Sequence, residues 1–86
     1  MVVAQRTLER YAGLYQERTI SLREGRLHYR RGGSPESLLI PMAEDLFELE
    51  TDPTLRVRFV GAGAGPPRKL IEISTDGSID ESARTK

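Results

Sequence analysis

Eighty-six residues are enough for one domain with one modest core, spanning the whole chain. Thirteen basic side chains balance thirteen acidic ones, so no net field draws the chain toward nucleic acid or an anionic membrane. Cysteine is absent, which excludes disulfides, cysteine-ligated zinc and thiol catalysis.

Arginine outnumbers lysine eleven to two, a bias that codon usage in a GC-rich genome explains as well as phosphate recognition does. Apolar runs are only a few residues long, so no membrane span is expected. Met1 to Ala4 is too short for the core of a signal peptide. Compartment stays undecided between periplasm and cytoplasm.

Residues 3–12, VAQRTLERYA, predict a short helix with Ala4, Leu8 and Tyr11 on one face and Gly13 as its stop. At this length a helix persists only when packed, so it is expected to plug one end of a sheet. From Leu14 the hydrophobic period falls to two. In TISLREGRLHYR, Glu24-Gly25 marks a tight turn, because glycine supplies the positive φ that such turns require. This turn sets Leu22 against Leu27 and Ile20 against Tyr29 inward, with Ser21 against His28 and Thr19 against Arg30 outward.

RGGSPES reads as a loop. SLLIPM is a short strand, with Leu38 and Ile40 expected inward and Pro41 at a strand end or sheet edge, since it has no amide to donate. LFELE and LRVRFV follow, joined through TDPT. GAGAGPPR is a longer connection and KLIEIS a further strand. Asp76-Gly77 signals another turn, and residues 81–86 are expected to fray. Strands this closely spaced pair antiparallel, because parallel pairing needs crossovers of about a dozen residues or more. The expectation is an all-β antiparallel meander of six to seven strands over residues 14–80, curled into a half-barrel or small barrel behind the helix.

The stretch LFELETDPTLRVRF alternates apolar and charged residues on both sides of its turn. A turn over residues 51–55 sets Phe47 against Phe59 and Leu49 against Val57 inward. Outward, it sets Glu48 against Arg58 and Glu50 against Arg56. These charges neutralise one another, and each cross-strand pair contributes about 0.2–1 kcal/mol.

No catalytic constellation is visible. His28 is the only histidine, and no nucleophile motif surrounds Ser21. One histidine without cysteine gives no transition-metal cluster. GAGAG is followed by Pro66-Pro67 and a strand, whereas a phosphate loop is followed by a helix. The carboxylates of EDLFELETD lack the spacing of a calcium loop. A nucleic-acid-binding sheet presents aromatics outward among basic residues, but phase places Tyr29, Phe47 and Phe59 inside. Arg26, His28 and Arg30 form the least compensated outward strand and are the candidate interaction residues. No cofactor is implied.

LERYAGLYQ, SLREGRLHYRRGG, LLIPMAEDLFELE and RVRF occur in an order that resembles a small bacterial β-domain of unassigned function. That domain is found C-terminal to serine β-lactamase-like hydrolases, tail-specific-peptidase-like proteins and some tetratricopeptide proteins. The resemblance rests on Leu8, Tyr11, Gly13, Tyr15, Gly25, Leu27, Pro41 and Phe47. It implies a lipocalin-like curved sheet and a non-catalytic accessory role, docking on a parent catalytic domain or self-associating through a sheet edge. The segment between Tyr15 and Ile20 is shorter than in many members, so the first strand is expected to run on without a loop. The chain is then either an excised domain or a free-standing relative. The alternative expectation is a small barrel that binds an apolar small molecule.

Overall fold

The computed structural model describes residues 2–61 and 65–86; part of the GAGAG connection therefore lies outside the described residues. A helix, α1 (Gln5–Tyr11), precedes eight strands: β1 (Gly13–Tyr15), β2 (Arg18–Arg23), β3 (Arg26–Arg31), β4 (Ser37–Ala43), β5 (Leu46–Leu49), β6 (Asp52–Gly61), β7 (Pro67–Ser74) and β8 (Ile79–Ala83). Each strand pairs antiparallel with the next, in the order β1 to β8. The fold is the predicted all-β meander, with eight strands where the periodicity predicts six or seven.

One added strand comes from the segment after Tyr15. It does not run on: Gln16, at φ 59°, and Glu17 form a turn that separates β1 from β2. The other comes from the C-terminal end. Residues 79–83 pair with β7 as β8, and the backbone beyond them is anchored as well. Arg84 N–H donates to the Arg68 carbonyl at 2.8 Å, continuing β8. Thr85 N–H donates to the Leu14 carbonyl at 2.8 Å, and Leu14 N–H donates to the Lys86 carbonyl at 3.1 Å. The segment predicted to fray thus joins the chain's end to the first strand at Leu14 and brings the sheet to a nearly closed barrel. Both backbone groups of Leu14, which an open edge would leave without partners, are paired across this seam.

Arg84 locks this seam. Its guanidinium donates to the Arg10 carbonyl at 3.2 Å, the Ala12 carbonyl at 2.9 Å and the Tyr15 hydroxyl at 2.9 Å. The last carbonyls of a helix lack intrahelical partners and carry negative partial charge, so a cation there stabilises the end of α1. Gly13 is required at this junction. It adopts φ +153°, and a Cβ there would lie 2.5 Å from both the Lys86 carbonyl and an Arg84 nitrogen.

The apolar core is filled by side chains from the helix and from all but the last strand, which buries only Ser82. Tyr15, Leu27, Phe47, Val57 and Leu70 are essentially inaccessible. Tyr11 from α1 stacks on Phe59 with ring centres 4.3 Å apart, and Phe47 meets Phe59 edge-on at 5.6 Å. The helix does plug one end, through Val3, Thr7, Leu8 and Tyr11, while Ala4 stays exposed.

Registers divide into those the pattern gives correctly and those it misplaces. The β2–β3 hairpin matches in all four pairs, including Leu22 with Leu27 and Ser21 with His28. Glu24 and Gly25 both take positive φ, as a two-residue turn requires. In β5–β6 the register is shifted by two. Phe47 faces Val57, Glu48 faces Arg56 and Leu46 faces Arg58. The turn is the pair Glu50-Thr51, closed by Leu49 opposite Asp52, and residues 53–55 bulge out behind it. Asp52 Oδ1 accepts the Thr54 N–H at 3.2 Å, and the bulge accommodates Pro53, which has no amide to offer a ladder. A two-residue shift preserves the inward phase, so Phe47 and Phe59 stay buried.

In β4 the phase itself is reversed. Leu39 is buried, whereas Ile40 is exposed and Leu38 only partly covered, the opposite of the expectation. Three consecutive apolar residues, Leu38 to Ile40, do not define a period-two face. The choice is made by neighbours: Leu39 pairs with inward Leu49, and Ser37 with inward Tyr29.

Gly13→Ala is expected to lower stability by about 1–3 kcal/mol in urea unfolding, through backbone strain and the clash at the seam. Ser82 is fully buried, and among the described residues its hydroxyl has no hydrogen-bond partner. Ser82→Ala is therefore expected to raise stability by up to about 1 kcal/mol, because a buried orphan hydroxyl costs desolvation without return.

Candidate functional site

The three residues singled out in the sequence share the outer face of β3. Arg26 and Arg30 are exposed, and among the described residues neither enters an ion pair. His28 is partly covered, with Nδ1 3.6 Å from a Glu36 carboxylate oxygen. That carboxylate is held chiefly by Arg23, which keeps it below the usual carboxylate range. Ser21, His28 and Glu36 thus lie in a row, yet 3.6 Å is beyond a hydrogen bond, and among the described residues none joins Ser21 to His28. The cavities described below do not contain this row.

Beside β3 runs a feature created by the reversed phase of β4. Leu38 and Ile40 alternate along its outer face, and Met42, at the irregularity between Pro41 and Ala43, is exposed beyond them; Ile40 is 37% and Met42 44% exposed. The registers place charges on both sides of this stripe. On the β3 side stand Arg26, His28 and Arg30; on the β5 side, Glu48 pairs directly with Ile40, and Glu50 donates its N–H to the Leu38 carbonyl at 3.0 Å. Glu48 also meets Arg56 at 3.6 Å, and Arg58 meets Asp45 at 3.6 Å, so the outer face of β6 neutralises itself. The expected Glu48–Arg58 and Glu50–Arg56 partners are replaced because of the register shift.

Below the stripe, β3 and β4 separate. Their ladder contains only His28 with Leu38 and Tyr29 with Ser37. Past Leu38 the strands diverge, and an apolar groove of about 280 Å³ opens between them. Val2, Val3, Leu8, Leu27, Leu39 and Phe47 line it together with Leu38 and Ile40 of the stripe, beside Arg26 and Pro41. Pro41 on this open side lacks an amide that another strand would use.

The opposite end of the barrel is polar, and sequence reasoning missed it. Arg18 and Glu72 are 3% and 4% exposed. Arg18 Nε donates to Glu72 at 2.8 Å, and its Nη2 donates to Glu72 at 3.2 Å and to Asp80 at 2.8 Å. The Tyr29 hydroxyl also donates to Glu72. Burial first, then the Glu72 carboxylate, raises the Tyr29 phenol well above its ordinary value. A signal was present: Arg18 shares the inward phase of Ile20, and Glu72 that of Leu70. One inward charge on each of two strands balances the other across the barrel. A carboxylate-bearing cavity of about 300 Å³ adjoins the network, lined by Asp52, Thr54, Glu72, Ser78 and Asp80 among others. Among the described residues no three His, Cys, Asp or Glu side chains gather as a metal site. No helix among them is long and apolar enough to cross a membrane.

Two measurements test the polar end and the seam. Glu72→Gln is expected to cost about 2–4 kcal/mol in urea unfolding, because it leaves Arg18 buried with weakened compensation. Replacing the group together, as Arg18→Met, Glu72→Leu and Tyr29→Phe, is expected to recover most of that loss. Burial pushes the Tyr15 phenol up to about 12, against the opposing pull of Arg84. An unfolded tyrosine titrates near 10, so between those values the unfolded chain has lost a proton that the folded chain keeps. Stability is therefore fully present below pH 10 and falls as pH rises toward 12, and Tyr15→Phe makes that fall shallower in pH-dependent thermal unfolding.

No protein-family model, curated protein or solved structure matches this chain. The functional reading rests on the faces and cavities described above.

Proposed function

We propose that this domain is a non-catalytic interaction module, an accessory unit of a bacterial hydrolase-type protein or a free-standing relative of such units. The observation that supports this is the Leu38–Ile40–Met42 stripe, an apolar row on the water side of the sheet. Exposed apolar residues scattered singly need no explanation, but an aligned row above an apolar groove is the usual mark of a docking surface. The seam at Leu14, which Thr85 and Lys86 cover, leaves less open edge and favours this face as the route of contact.

A second reading is favoured by the groove itself. At about 280 Å³ it lies at the lower end of small-ligand pockets, which run from about 300 Å³ upward. A lipocalin-like carrier would hold its ligand inside the barrel, among buried side chains such as Tyr15, Val57 and Leu70. Here an apolar ligand would sit instead in the groove, against Val3 and Leu8.

Titration of the isotopically labelled domain with a hydrophobic dye, followed by NMR, separates the two. The docking reading expects shifts on the outer face of β3 to β5 and no change in melting temperature with a fatty-acid series. Ile40→Glu with Met42→Glu is expected to abolish those shifts while changing stability by no more than about 0.5 kcal/mol. Shifts confined to Val3, Leu8 and Leu27, with a ligand-dependent rise in melting temperature, would transfer the assignment to the carrier.

A further inference from the structure

We infer that the stripe on β4 docks on a second copy of this chain, in a two-fold dimer whose axis runs along β4. The inference rests on the docking reading above and adds the identity and geometry of the partner. Charge placement carries it. The stripe is flanked by basic residues on β3 (Arg26, Arg30) and by two carboxylates on the other side, Glu48 on β5, which also meets Arg56 at 3.6 Å, and Glu50 in the turn after it. Registers set these in rows: Arg26 lies on the Ile40–Glu48 side of the splayed strands, and His28 lies level with Leu38 and Glu50.

Consider two such faces in contact. A two-fold axis in the contact plane and parallel to β4 keeps every position along the strand and exchanges the flanks. Leu38, Ile40 and Met42 then meet their own counterparts. Arg26 stands opposite Glu48 of the second copy, and Arg30 and His28 stand toward Glu50. Both sides of the interface gain the same pairs, as an isologous contact requires. An axis running across the strands would instead set basic flank on basic flank. Charge therefore selects one of the two face-to-face arrangements, which is how complementarity specifies register. Convex curvature limits the contact to about three strands, the width of the stripe and its flanks.

Size sets the strength. The molecule measures 31 × 25 × 24 Å, so one face offers on the order of 600 Å², below the roughly 800 Å² per partner of a standard stable interface. The dimer is expected to be weak and concentration-dependent.

Sedimentation velocity of the full chain from about 10 μM to about 1 mM tests this. The wild type is expected to pass from monomer to dimer across that range. Arg26→Glu and Glu48→Arg should each weaken association at least about tenfold, and the two together should restore it to within about threefold, because the reversed pair is again complementary. Ile40→Glu should leave a monomer. Circular dichroism monitors folding, and Arg26→Gln with Glu48→Gln replaces the reversals if either lowers the unfolding midpoint. A monomer at every concentration overturns the inference, as does a dimer indifferent to the single reversals. Binding of the stripe to phosphatidylglycerol vesicles by a chain that stays monomeric overturns it as well. The dye titration is independent: β4 shifts in a strict monomer would remove the self-partner and leave the docking surface, whereas their absence would remove both.

Discussion

Closure of the sheet at Leu14 is the constraint on which the rest of this structure depends. A small all-β chain has two sheet edges and little core with which to stabilise them. Here the edges are joined, through Thr85 and Lys86 on one side and β1 on the other. Arg84 ties the same seam to the end of α1 by donating to the carbonyls of Arg10 and Ala12 and to Tyr15. One side chain thereby links the helix, the first strand and the last segment. With the seam made, Tyr11 is held where its ring stacks on Phe59, and the barrel end is sealed.

The two ends then differ in chemistry for a physical reason. At the helix end, apolar and aromatic side chains exclude water. At the far end, β2, β3 and β7 contribute Arg18, Tyr29 and Glu72, which satisfy one another inside the wall, and Asp80 of β8 meets Arg18 from the exposed side. Such a group contributes little net stability against an apolar replacement, but loss of any one member is costly. Its consequence is specificity of pairing: a one-residue slip of β2 or β7 would strand a charge in the core or a leucine in water. The outer surface follows from the same economy of space. With the interior occupied, any apolar residue that the inward phase does not take must face water, and β4 places three there in a line.

Much of this was legible in the residues. The β2–β3 hairpin could be read in full, because Glu24-Gly25 fixes the turn and alternation on both sides admits one register. Placement of Arg26, His28 and Arg30 outside followed from it. Elsewhere the local pattern was insufficient. Three apolar residues in succession left the face of β4 undefined, and Leu49 and Tyr29 on neighbouring strands decided it. The charged alternation around residues 46–59 fixed the inward face of β5 and β6. The length of the turn depended on Asp52 capping Thr54 and on where the bulge could absorb Pro53.

The sequence by itself determined an antiparallel meander, its main inward phase and the absence of any recognisable catalytic motif. These properties are local, set by side-chain alternation, turn residues and short connections. Only the tertiary structure decided that the barrel closes, that Arg18 and Glu72 meet across it, and that Leu38, Ile40 and Met42 lie outside between a basic and an acidic flank. Each of these joins residues far apart in the chain, as Arg18 and Glu72 are, and no local period carries information about such a meeting. The polar tail after Ile79 illustrates the difference: its composition resembles that of a frayed end, yet its backbone is the partner that β1 requires.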